Sequence, residues 1–145
     1  MTSLNELRLN NVSRKNSLDF SFTRSLPELK EIELKNNELK TINSSIYNNL
    51  KRLTRLNLKG NVIEKLEGRA FEGLLHMKKL DISNNRISYV DNDLVKNLDN
   101  LALSEFNFND NECMFLVETN KFNGYKAQMQ YNQIKGFSCD VCINF

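Results

Sequence analysis

Apolar residues recur along most of the chain in a long, regular pattern. "LKEIELKNNEL" begins at Leu29, "LTRLNLKGNVI" at Leu53 and "MKKLDISNNRI" at Met77, 24 residues apart each time. All three carry apolar residues at positions 1, 4, 6 and 11, and an asparagine at position 9: Asn37, Asn61 and Asn85. Each adds an aliphatic at position 14 (Ile42, Leu66 and Val90), and a leucine stands three residues before each start (Leu26, Leu50 and Leu74). The alternation around positions 4 and 6 predicts a short strand with one face inward. From position 9 onward the chain turns away from that strand. A period of this length marks a repeat architecture, in which units stack their strands into a parallel sheet and bury their aliphatics on one another.

Two weaker copies flank these three. "LNELRLNNVSR" from Leu4 keeps Leu4, Leu7 and Leu9 but has Val12 where the asparagine is expected. "LSEFNFNDNEC" from Leu103 keeps Phe106, Phe108, Asn111 and Cys113, and starts two residues late, which places an insertion near Leu101. The pattern resembles the leucine-rich repeat family, LxxLxLxxNxL, in its 24-residue form, across roughly residues 1–113. The resemblance implies an α/β solenoid: a curved right-handed coil with a parallel sheet on its concave face, an irregular or short-helical convex side and a small C-terminal cap. Residues 1–112 are expected to form about five units, the first and last degenerate, and residues 113–145 the cap.

The asparagines have a physical reason to sit among leucines. Turning the chain inside a core strands backbone N–H and C=O groups, and an amide side chain offers two donors and an acceptor to them. Asn37, Asn61, Asn85 and Asn111 are therefore expected to form a ladder between successive coils. Losing a rung should leave unpaired buried groups at about 1–3 kcal/mol each.

After Asn111 the repeat stops. Phe115, Leu116, Thr119 and Phe122 are spaced as one stripe of a short helix, which Gly124 is expected to end. Ala127, Met129 and Tyr131 then alternate as a strand would. At the other end, Leu18, Phe20 and Phe22 alternate along the back of the first coil, where they can serve as cover. The C-terminal stretch is similar to the cysteine-bearing caps of secreted arthropod leucine-rich repeat proteins, including immune-type members. That resemblance implies a Cys113–Cys139 disulfide. It departs from the pattern because no second cysteine closely follows Cys113. Cys142 is left over: it is free, takes the place of Cys139, or bridges to another chain.

Composition narrows the function classes. A net charge of +2 and a sequence pI near 8.4 are too mild to point to nucleic acid or a membrane surface. The longest apolar run, Cys113 to Val117, is far short of the ~20 residues of a membrane-spanning helix. The first thirty residues lack the basic start and apolar core of a secretory leader. The chain is expected to be either cytosolic or a piece of a longer secreted protein. A truncated solenoid accounts for the missing leader and the missing N-terminal cap together.

Candidate chemistry is sparse. Cys139-Asp-Val-Cys142 matches C-x-x-C, but a thioredoxin-like site needs that motif at a helix start after a strand. Zinc needs four ligands, and the soft candidates are the three cysteines and His76, which sits in the connection of another unit. A redox or zinc enzyme using Cys139 and Cys142 is the reading from another class. Glu31 and Glu33 share one face of a strand and could pair as acid and base, but no inserted pocket accompanies them. No enzyme activity and no cofactor are expected. N-x-S/T glycosylation signals occur at Asn11 and Asn43. Asn43 falls on an outer connection, where a glycan fits a secreted chain. Asn11 lies at a strand end, where a structural role is favoured.

Outward positions of the strands define a face that could bind. They include Glu31, Glu33, Lys35, Arg55, Asn57, Lys59, Lys79, Asp81, Glu105 and Asn107. Arg55, Lys59 and Lys79 lie in the middle units, with acids on either side. No aromatic residue interleaves them, which disfavours single-stranded nucleic acid. The banded face suits a protein ligand or co-receptor recognised by charge complementarity. The expected role is non-catalytic protein recognition outside the cell or on its surface, of an innate-immune or adhesion type that the arthropod resemblance implies. The alternative is an intracellular scaffold with reduced cysteines.

Overall fold

A computed structural model describes residues 4–12, 20–42, 44, 47, 49–99, 101 and 103–112. Five three-residue strands line up in one parallel sheet. They are β1 (Glu6–Arg8), β2 (Glu31–Glu33), β3 (Arg55–Asn57), β5 (Lys79–Asp81) and β7 (Glu105–Asn107), neighbours in that order. Their register pairs Glu6 with Glu31, Glu31 with Arg55, Arg55 with Lys79, and Lys79 with Glu105. Equivalent repeat positions therefore face one another across every step. The two extra residues before Leu103 are taken up outside the sheet, because β7 still meets β5 in register.

Opposite the sheet the chain is irregular. It holds a 3-10 turn (Ser21–Ser25), the helix α1 (Asn92–Asp99) and a second, two-stranded parallel sheet of β4 (Lys65–Leu66) and β6 (Tyr89–Val90). Phe20 and Phe22 flank and join the 3-10 turn rather than an extended segment, and their rings lie 6.0 Å apart. The returns to β2, β3 and β5 use the same pair of tight turns. The N–H groups of Leu26, Leu50 and Leu74 donate to the carbonyls of Thr23, Tyr47 and Phe71, and their own carbonyls accept from Leu29, Leu53 and Met77. These i→i+3 bonds fold the chain back within three residues. Thr23, Tyr47 and Phe71 are themselves 24 apart and buried.

One core runs through the coils. Leu29, Ile32, Leu34 and Leu39 of the second coil, Leu53, Leu56, Leu58 and Ile63 of the third, and Met77, Leu80, Ile82 and Ile87 of the fourth are all buried. Burial of each such side chain contributes about 1.5–3 kcal/mol. Leu7 and Leu9 of the first coil are only partly buried, because that coil has a described neighbour on one side alone.

Candidate functional site

Asparagines at position 9 tie the coils together at the end of each strand. The amide nitrogen of Asn61 donates to the carbonyl of Leu58 in its own coil (2.8 Å) and of Leu34 in the coil before (2.9 Å). Its oxygen accepts from the backbone N–H groups of Asn37 (3.0 Å) and Leu39 (3.1 Å). Asn85 repeats this with Leu58, Ile82 and the N–H of Ile63, and Asn111 with Ile82, Phe108 and the N–H of Ile87. Asn37 reaches back to the carbonyl of Leu9 and the N–H of Val12. Every rung points toward the N-terminus. Val12 occupies the rung position of the first coil and is 60% exposed.

A second side-chain series shapes the face itself. Asn57, Asp81 and Asn107, at position 5, accept from the backbone N–H two residues on, at Lys59, Ser83 and Asn109. Such short local bonds are what Asn and Asp side chains favour in turns. Position 5 of the second coil is Glu33, whose longer chain cannot make that turn. There Asn10, from the coil before, supplies the oxygen: it accepts the N–H of Lys35 at 2.8 Å and donates to the Glu33 carboxylate at 3.2 Å. Position 8 then carries left-handed backbone in all five coils, with φ of 59° at Asn11, 56° at Asn36, 71° at Gly60, 51° at Asn84 and 58° at Asp110. Only Gly, Asn and Asp take that conformation readily. From sequence these residues read as outward-facing side chains. They are turn residues first, and the restriction of position 8 to three residue types was the signal.

The expected face residues lie on one surface, but not as equals. Glu33 and Asn57 are each 6% exposed and form its floor, while Lys59, Lys79 and Glu105 stand exposed. Burial pushes the Glu33 carboxyl up, yet the Asn10 amide and the cations of Lys35 (3.3 Å) and Arg8 (3.9 Å) outweigh it and hold it below the ordinary carboxylate value. Ion pairs run between strands: Arg55 with Glu31 at 3.7 Å and Lys79 with Glu105 at 2.6 Å. Arg8 pairs with Glu6. Between β3 and β7 the surface sinks into a hollow of about 250 Å³, lined in part by Arg55, Lys79, Asp81, Glu105 and Asn107.

Glu31 and Glu33 share their strand but not their surroundings: Glu31 faces Arg55, and Glu33 is closed in by Asn10 and Lys35. His76 is exposed. Asn11 is exposed, and its backbone N–H bonds the carbonyl of Lys35. Leu18, Asn43 and residues 113–145, with the expected cap, its helix and strand and Cys113, Cys139 and Cys142, lie outside the described residues. Among the described residues, no His, Cys, Asp and Glu group of three or more could hold a metal ion, and no helix is long and apolar enough to cross a membrane.

Residues 51–111 match the family model described as leucine rich repeat. No curated protein sequence matches the chain. Among solved structures, the fold is similar to TLR13 in its complex with ssRNA13, with a TM-score of 0.71 and 23% identity, covering 84% of this chain and 17% of that one. It is also similar to Drosophila Toll in the Toll–Spatzle complex, with a TM-score of 0.58 and 23% identity, covering 66% of this chain and 13% of that one. The chain therefore spans less than a fifth of either of these two.

Proposed function

We propose that this chain, a leucine-rich repeat solenoid, is a non-catalytic protein-recognition module that binds through the concave face of its five-stranded sheet. The observation that carries the reading is the open, charged surface spread over β1, β2, β3, β5 and β7, with side chains of both signs at equivalent positions of successive coils. Such a surface supplies charge complementarity over a wide area, which is what protein partners use for specificity. It offers no enclosed cleft in which a reaction would be shielded from water.

The coils of residues 1–112 form the binding unit in this reading, and residues 113–145 its cap. An extracellular or cell-surface setting is proposed on the resemblance of residues 113–145 to secreted caps; in that reading Cys113 pairs with Cys139, Asn43 carries a glycan and Cys142 is open to a bridge with another chain. The Toll neighbour, whose complex with Spatzle acts in Drosophila development and innate immunity, makes an immune or developmental receptor role the first to examine. Thiol counting under non-reducing denaturation checks the setting. One free thiol supports it, and three favour the intracellular scaffold.

Site-directed photo-crosslinking tests the binding face. A benzophenone amino acid is placed at Glu105 on the sheet, or at Leu75, which is 77% exposed in the connection between coils. Discrete protein adducts from the Glu105 probe alone are expected in cell and extracellular extracts. The reading fails if that probe gives none, or gives the same adducts as Leu75.

A further inference from the structure

Charge on the concave face is paired coil by coil, most loosely at Arg55 and, among the described residues, not at all at Lys59. Arg8 is taken by Glu6, Lys35 by Glu33 at 3.3 Å and Lys79 by Glu105 at 2.6 Å. The Arg55 guanidinium stands 3.7 Å from Glu31, beyond a hydrogen bond. The Lys59 ammonium meets no carboxylate among the described residues. Arg55 also lies directly opposite Lys79 in the register, and like charges so placed repel. Two cations of the third coil thus keep donors for a ligand: Arg55 on β3, which lines a hollow of about 250 Å³, and Lys59, two residues past the end of that strand.

We infer that Arg55 and Lys59 receive the carboxylates of an acidic segment of the protein partner, laid along β3; this rests on the concave face being the binding surface. An Arg guanidinium offers a planar fork that fits a carboxylate with two parallel N–H···O bonds. Arriving carboxylates would also relieve the repulsion between Arg55 and Lys79. The surroundings select against a nucleic-acid backbone. Glu31 and Glu33 on β2 and Asp81 on β5 flank β3, with Glu105 one strand further on, and a continuous run of phosphates would have to cross them. The outward positions of the five-stranded sheet hold no aromatic side chain on which bases could stack.

The test measures fluorescence anisotropy of two labelled probes on the whole chain at low salt: octaglutamate and octauridylate. Octaglutamate is expected to bind more tightly. The Arg55→Gln/Lys59→Gln variant should weaken it by about tenfold, the loss of a charge-assisted contact. Lys51→Gln/Lys65→Gln removes the same charge from the connections and should change binding by about twofold or less. Lys59→Gln alone, at a side chain with no described ion pair, gives a smaller loss in the same direction without disturbing the fold. Equal weakening by both double variants, or no binding of octaglutamate to the parent chain, overturns the inference. Tighter binding of octauridylate overturns it in favour of RNA. If octaglutamate fails while the Glu105 probe still forms adducts, the binding face stands and only its preference for acids is lost.

Discussion

The side-chain oxygen of Asn61 accepts the backbone N–H of Asn37 one full coil earlier, at 3.0 Å. The same oxygen holds Leu39, and the amide nitrogen holds two carbonyls. Asn61→Ala leaves several buried backbone groups without this partner, each at about 1–3 kcal/mol. The variant should lose about 3 kcal/mol or more in urea unfolding, and Asn61→Asp, which keeps the acceptor but has no amide donors, should not restore it.

Gly60 and Gly73 both hold left-handed backbone, but in different company. A Cβ at Gly60 would overlap the side-chain oxygen of Asn36, whereas one at Gly73 meets nothing within 4 Å. Gly73→Ala should cost about 1–2 kcal/mol, the conformational penalty alone. Gly60→Ala should cost more, and Asn36→Gly in that background, which removes the oxygen and still suits the left-handed backbone at position 36, should recover the difference. Thermal unfolding of the three variants beside the parent chain checks both statements.

Glu33 links stability to pH. Its folded carboxyl is held below the ordinary value of 4.5, so the unfolded chain binds the proton first as pH falls. Its contribution is complete above the ordinary carboxylate range and is lost as pH drops through the folded value. Unfolding midpoints measured from pH 7 to pH 3 should fall less steeply for Glu33→Gln than for the parent chain.

Lys79 and Glu105 pair at 2.6 Å with about half of each side chain exposed. Solvent and salt weaken such a pair, so a double-mutant cycle with alanine should return a coupling of about 0.2–1 kcal/mol. It should shrink further in 1 M salt, where the screening length is about 3 Å.

The architecture was legible because its determinants repeat. Leu56 and Leu80 occupy one position of successive units, so a single unit's pattern could be checked against the next. Asn61 and Asn85 stood out because nothing else polar recurs among the buried leucines. What repeats in residue class but not in identity was harder to read. Asn36, Gly60 and Asn84 share a backbone conformation rather than a side-chain chemistry, and position 8 looked like one more outward site. Tyr47 and Phe71 share a buried place in the connections, outside the strand motif. Exchanges between coils were hidden altogether: Asn10 substitutes for the turn that Glu33 cannot make, and only the register of β1 on β2 brings the two together. The charge pairs had the same limit, since Arg55 and Glu31 are neighbours only through that stacking.

Because each rung reaches backward, the turn ending one strand is completed by an amide that the ribosome adds 24 residues later. Asn37 waits for Asn61, and Ile63 for Asn85. A nascent coil leaving the exit tunnel cannot lock until its successor has also emerged, so assembly trails synthesis by one repeat. A translational pause taken when the second coil has emerged but Asn61 is still inside the tunnel would hold that coil open with its leucines already outside.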